Sequence, residues 1–277
     1  MSKIQFKNTN ITVFESALFR TTTTIIETDD LLLLVDPNWL PSEIETIQLE
    51  VQRRKRNKPF FLLFTHSDYD HIIGYRAFEN AKIIASQAFI DNENKTKILQ
   101  QINDWDDENY ILRNYPIEYP SVDLVVRQDS QQLKIGDTTL TFYLAPGHNI
   151  DGIFTIVEPL GIWIAGDYLS NIEFPYIYHS SLAYETTMDK VATILSNHKV
   201  HQLITGHGDM AFETREILKR KEDSLKYIRD LRTALQNNVP FDFELLMEAY
   251  RFPKIMKQFH NGNVALMKKE MELVSKM

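Results

Sequence analysis

Thr65-His66-Ser67-Asp68-Tyr69-Asp70-His71 decides how this chain is read. It follows Phe60-Phe61-Leu62-Leu63-Phe64, an apolar run with the character of a buried strand. Four side chains able to bind a metal ion, His66, Asp68, Asp70 and His71, fall within six positions. A strand presents alternate residues to one face, so a regular extension aims His66, Asp68 and Asp70 the same way. A loop beyond the strand end then turns His71 in from the side. Imidazoles and carboxylates packed this densely are costly unless a cation offsets their charge.

Further along, three predicted strands end on the same residue types. The run 138–144 leads to Ala145-Pro146-Gly147-His148, the run 161–165 to Gly166-Asp167, and the run 200–205 to Gly206-His207-Gly208. Seven ligand-type residues therefore stand at strand ends. The other four histidines, His179, His198, His201 and His260, lack such neighbours and read as structural.

The opening stretch resembles the metal-binding signature of the metallo-β-lactamase fold superfamily, His-x-His-x-Asp-His, with Asp68 in place of the second histidine. The resemblance covers about residues 11–209, with four motifs in the right order and Asp167 nineteen positions after His148. It implies an αββα sandwich: two mixed β-sheets face to face, helices outside, and metals at one open edge. Carried over residue by residue, site one comprises His66, Asp68 and His148, site two Asp70, His71 and His207, and Asp167 bridges them. Asn149 stands where many relatives have threonine. Asp36 resembles the aspartate of the family's buttressing Asp-x-Gly loop, although an aspartate before Pro37 serves equally as a turn former. Asp68 has a second reading too, as the cap of a following helix.

The activity implied is that of a dinuclear hydrolase, in which a metal-bridging hydroxide acts on a small ester, thioester or lactone. Two divalent ions about 3.5–4 Å apart share a water and acidify it. Zinc is the expected metal, and the extra carboxylate at 68 opens the site to iron or manganese. Asp70 would also orient the nucleophile or deliver a proton to the leaving group. Within the superfamily, the lack of cysteine weakens a class B1 or B2 β-lactamase reading, and Asp68 breaks the glyoxalase II motif. Two other classes stay open: a di-iron redox protein resembling the flavodiiron metal domain, and a non-catalytic metal-binding module.

Composition bounds these readings. The 277 residues are 43% hydrophobic and 25% charged, with a net charge of −8. The first 212 carry 28 acidic against 17 basic side chains, which argues against nucleic acid and for a small-molecule substrate. No apolar run approaches the roughly 20 residues of a membrane helix, so no membrane partner is expected. Met1 to Gln5 lacks the basic-then-apolar pattern of a leader, and the expected location is cytoplasmic. Without cysteine, any metal is held by nitrogen and oxygen.

Elsewhere, 21–26 and 31–35 read as a hairpin, and Ser42 to Glu45 as a capping box whose helix buries Ile44, Ile47 and Val51. Arg53 to Arg56 reads as the solvated end of that helix. A strand is predicted over 81–85 and one helix over 87–109, anchored by Trp105. Trp39 either overhangs the site or packs in the core, and the same choice applies to Phe174, Tyr176 and Tyr178 in 169–183. A helix carries Tyr184, Met188, Val191 and Leu195. The organisation expected is a catalytic domain over 1–212 and a helical extension over 213–277. That extension packs on the domain or on a second subunit, as a homodimer through these helices. Its stripes are Leu218, Leu225, Ile228, Leu231 and Leu235, then Val264, Met267, Met271 and Val274 in a last helix opened by Asn261-Gly262-Asn263.

Overall fold

Leu31 to Val35 shows the layering in miniature. Leu32 and Leu34 pack outward against a helix carrying Ile44, Ile47 and Val51, whereas Leu31, Leu33 and Val35 face a second sheet. A strand buried on both faces reads as a continuous apolar run, and burying each such side chain stabilises by about 1.5–3 kcal/mol. The computed structural model describes residues 3–274, the Val274 side chain excepted. Met1 and Ser2 of the leader reading, and the Val274 side chain of the last stripe, lie outside the described residues.

The first sheet runs in chain order: β1 (Lys3–Lys7), β2 (Ile11–Glu15), β3 (Thr22–Glu27), β4 (Leu32–Val35), β5 (Phe60–Leu63), β6 (Lys82–Ser86) and β7 (Leu124–Val126). It is antiparallel from β1 to β4 and parallel from β4 to β7. The second sheet comprises β8 (Gln131–Ile135), β9 (Thr138–Leu144), β10 (Ile153–Glu158), β11 (Ile162–Ile164) and β12 (Gln202–Ile204). Its order is β12-β11-β10-β9-β8, and only β11 and β12 are parallel. Both sheets are mixed. They meet through Leu33, Phe61 and Leu63 on one side and Phe142, Ile162 and Ile164 on the other.

Outside the first sheet lie α1 (Pro41–Lys55), α2 (Tyr69–Ile72), α3 (Gln87–Ile90) and α4 (Lys95–Glu108). Outside the second lie α5 (Ser181–Asn197), α6 (Thr214–Gln236), α7 (Phe243–Met247) and α8 (Pro253–Val274). The αββα sandwich is thus present. One cluster joins Phe154, Ile156 and Trp163 of the second sheet to Met188 and Val191 of α5, Ile228 and Leu231 of α6, and Met267 of α8.

Several local expectations are corrected. Helix α1 opens at Pro41, and Glu43 rather than Glu45 reaches back to the Leu40 N–H (3.1 Å) while also accepting from Ser16 and Ala17. Arg54 is buried, not solvated, and binds Glu50, Glu27 and the Thr9 carbonyl. The single helix over 87–109 is two, because turn-forming Asn92 and Asn94 interrupt it, and Asn92 Nδ2 instead donates to Ser67 Oγ (2.7 Å). On α6, Ile217 is buried and Leu218 exposed. Helix α8 begins at Pro253, where a proline suits the first helical position, so Asn261-Gly262-Asn263 lies inside it. Asn263 is held there by the Ile177 N–H (2.9 Å) and the Pro175 carbonyl (2.7 Å), tertiary bonds that outweigh weak helix propensity.

Candidate metal centre

Strand β5 ends at Leu63, the chain bends at Thr65, and Asp68 (φ −60°, ψ 145°) leads into α2. The alternation expected of a continued strand therefore does not reach the ligand residues. Asp70 and His71 project from a helical turn, and His66 and Asp68 from the loop between β5 and that turn. His148 follows β9, Asp167 follows β11 and His207 follows β12. The two sheets are joined at this edge, where Thr65 O accepts from Ile153 N–H (2.8 Å) and Gly206 O from Thr22 N–H (2.7 Å). Gly206 is required by proximity: a Cβ there would lie 2.0 Å from Asp167 Oδ1.

All seven side chains converge. His66, Asp68, His148 and Asp167 form one group and Asp70, His71 and His207 another, each with ligand atoms within 4.8 Å of one another. Asp167 is central: His66, His148 and His207 Nε2 lie 3.5, 3.4 and 3.3 Å from its Oδ2, and His71 Nε2 lies 3.2 Å from its Oδ1. Asp68 Oδ2 stands 3.1 Å from His148 Nε2 and 3.6 Å from His66 Nε2. Asp70 Oδ2 stands 3.5 Å from His207 Nε2. Asp68 occupies the cap position of α2, but its side chain makes no capping bond there.

The outer nitrogens fix the tautomers. His148 Nδ1 donates to Tyr176 O (2.7 Å) and His207 Nδ1 to Phe19 O (2.9 Å); a carbonyl only accepts, so each Nδ1 carries the proton. His71 Nδ1 donates to Asp36 Oδ2 (3.0 Å). Thr65 Oγ1 gives its proton to Asp36 Oδ2 (2.5 Å) and so accepts from His66 Nδ1 (3.0 Å). Asp36 thus orients two imidazoles from behind, at a left-handed φ of 44° that is uncommon away from glycine. In the neutral rings every Nε2 lone pair faces inward at carboxylate oxygens. His66 Nε2, His71 Nε2 and Asp167 Oδ1 are buried with no hydrogen-bond partner among the described residues.

The charge balance agrees. Burial and His71 oppose a proton on His66, yet Asp167 and Asp68 raise its pKa to about 10. Burial would raise Asp167, but His207, His71 and His66 hold its carboxyl well below the usual range. Acceptors facing acceptors call for positive charge at their centre, and nitrogen and oxygen donors with hydrogen-bonded outer atoms suit divalent cations.

A cleft of about 640 Å³ opens over this cluster. Tyr176, Ile177 and Tyr178 of the 169–183 segment line it, while Phe174 is packed against Tyr227. Trp39 is fully buried in the core, edge-on to Tyr69. Phe19, Trp105 and Glu173, and Phe259 and Leu266 of α8, also face the cleft, although no motif in the sequence marks them for it. Glu173 had one available signal, as the lone acidic residue in the aromatic stretch 169–183.

Residues 17–198 match the family model of the metallo-beta-lactamase superfamily. The chain belongs to that superfamily. No curated protein sequence matches it. Among solved structures, it is similar to a double mutant of a sec-alkyl sulfatase (TM-score 0.67, 13% identity), across 90% of this chain but 45% of the sulfatase. It therefore spans less than half of that relative. It is also similar to a metallo-beta-lactamase from Pontibacter korlensis (TM-score 0.58, 12% identity), over 83% of this chain and 100% of that one. A B3 metallo-beta-lactamase described as having an active-site glutamic acid aligns over 78% of this chain and 85% of its own (TM-score 0.52, 18% identity). At these identities the likeness establishes the superfamily fold.

Proposed function

We propose that this metallo-beta-lactamase superfamily protein is a dinuclear metal-dependent hydrolase of a small ester, thioester or lactone. One observation carries the reading: four imidazoles with protonated outer nitrogens turn their Nε2 lone pairs onto three carboxylates. His66, Asp68 and His148 would hold one ion, Asp70, His71 and His207 the other, and Asp167 both. Bound divalent ions supply Lewis acidity and acidify water. Asp70 lines the cleft and is placed to orient the attacking water and pass a proton toward the leaving group. Asp36 keeps His66 and His71 in register for this task. Helix α8, beyond residue 212, completes the cleft wall, so the extension serves the site as well as the core.

Metal analysis of protein purified without added metal, coupled to a panel of thioesters, lactones, phosphodiesters and β-lactams, tests the reading. The expected result is up to two ions per chain, zinc foremost, and turnover of an ester-type substrate. Absence of bound metal, with no binding on addition, sinks it. Asp68 makes the cluster oxygen-rich, which favours a harder ion; coloured, iron-loaded protein inert toward the panel would support the di-iron redox reading instead.

A further inference from the structure

The cleft wall carries a second electrostatic message, separate from the metal ligands. Among its described lining residues there is no lysine or arginine. Six aromatic rings face it: Phe19, Tyr69, Trp105, Tyr176, Tyr178 and Phe259. Tyr178 is half-exposed, with its ring 5.2 Å from that of His148, and Phe259 stacks on Tyr176 at 3.7 Å. Among these rings stands Glu173, outside both ligand groups. Its carboxylate makes no hydrogen bond or salt bridge among the described residues; burial raises its pKa to about 7, a rise that the charge of His207 opposes.

Three carboxylates of the cluster, Asp68, Asp70 and Asp167, already offset most of the charge that two divalent ions would bring. Asp68 in place of a neutral ligand histidine adds one unit of negative charge relative to the usual signature. A substrate anion entering the cleft therefore meets no lysine or arginine, and one acid beyond the cluster. A cation meets aromatic rings, whose quadrupoles attract it, and a carboxylate with no lysine or arginine partner, which strengthens that attraction as water is excluded.

We infer that the cleft takes a substrate whose non-reacting end is a bulky apolar cation, of the quaternary ammonium or alkylamine class, held by the aromatic walls and Glu173. This names the substrate class for the proposed hydrolase and rests on that reading for the chemistry, but not for the binding. Glu173 acts here as a specificity residue.

Two measurements on metal-loaded protein test it. In the first, benzyltrimethylammonium and phenylacetate are titrated against tryptophan fluorescence, which Trp105 in the cleft makes responsive. The cation should bind at least about tenfold more tightly than the anion, and Glu173→Gln should reduce its affinity about fivefold with metal content unchanged. In the second, phenylacetate esters of choline and of its neutral isostere 3,3-dimethylbutanol are compared. The choline ester should show the higher kcat/KM, and Glu173→Gln should erase that advantage. Equal affinities for the two ions, an unaltered ratio in Glu173→Gln, or loss of metal in that variant would overturn the inference. Preferential cation binding with no ester hydrolysed would leave the inference standing and refute the hydrolase reading alone.

Discussion

Asn149 Nδ2 donates to Asp68 Oδ1 at 2.5 Å, leaving Asp68 Oδ2 3.1 Å from His148 Nε2. One carboxylate oxygen is thus spent on orientation while the other faces the cluster, and the helix beneath goes without its side-chain cap. The two departures from the family's usual residues, aspartate at 68 and asparagine at 149, are in direct contact.

That contact makes Asp68 testable as a ligand. Asp68→Ala should lose about half the bound metal, with the Asp70, His71 and His207 group retaining its ion. Asp68→His should keep both ions and shift preference toward zinc. Asn149→Ala should weaken metal binding about tenfold, the lower end for an outer orienting residue. Elemental analysis and chelator competition give the readouts, and a full metal complement in Asp68→Ala would eliminate Asp68 from the ligand set.

Asp36 bonds the Thr65 N–H (2.9 Å), the Thr65 hydroxyl and His71 Nδ1. Removing it leaves those buried donors unsatisfied, at about 1–3 kcal/mol each. Asp36→Ala should therefore destabilise the fold and lower metal affinity about 10–100-fold. Asp36→Asn should fold better than the alanine variant, because its side-chain oxygen still accepts, yet still bind metal less tightly than the parent. Unchanged metal affinity in both would reduce Asp36 to a turn former.

Chelation should lower thermal stability sharply. A ligand held at a thousandfold excess over its Kd stabilises the folded state by about 4 kcal/mol. Scanning calorimetry of metal-free and metal-restored protein checks this. Coincident melting curves would count against any tight metal site.

Gly262 lies inside α8, where a Cβ would meet nothing within 4 Å. Gly262→Ala should stabilise by about 0.5–1 kcal/mol through helix propensity alone. Because Gly262 also lines the cleft, Gly262→Phe should raise KM or abolish binding of bulky ligands without changing metal content. Denaturant unfolding and ligand titration separate the two effects; a destabilised Gly262→Ala would contradict the open space.

His260 is packed among Phe174, Phe241 and Phe243, with Tyr227 Oη 3.0 Å from its Nδ1. Burial lowers its pKa from 6.5. As pH falls through 6.5 the unfolded chain takes up this proton before the folded one, so the contribution is present above that pH and lost below it. His260→Gln should flatten the acid limb of the stability–pH profile, measured by urea unfolding between pH 5 and 7. A limb of unchanged slope in this variant would exonerate His260.

Much of the sandwich was legible because strand and helix signals are local. The Leu31 to Val35 run, the run 138–144 and the stripe of α5 each announce themselves within a few residues. The seven clustered side chains were legible too, because imidazole and carboxylate at strand ends are rare chemistry whose order survives in sequence. What only the tertiary structure decided lies between residues far apart in the chain. Asp68 keeps a capping reading beside the ligand reading, and only the fold sets His148 and Asn149, some eighty positions on, against its carboxylate. The carbonyls that fix His148 and His207 belong to Tyr176 and Phe19, and since every residue has a carbonyl, no sequence pattern marks them. Asn261-Gly262-Asn263 is a helix start by local propensity, yet bonds from Asn263 to the 175–177 backbone and apolar packing carry α8 through it and over the cleft. Local propensities differ by less than about 1 kcal/mol per residue, whereas buried contacts of this kind contribute several together, so the distant partners prevail.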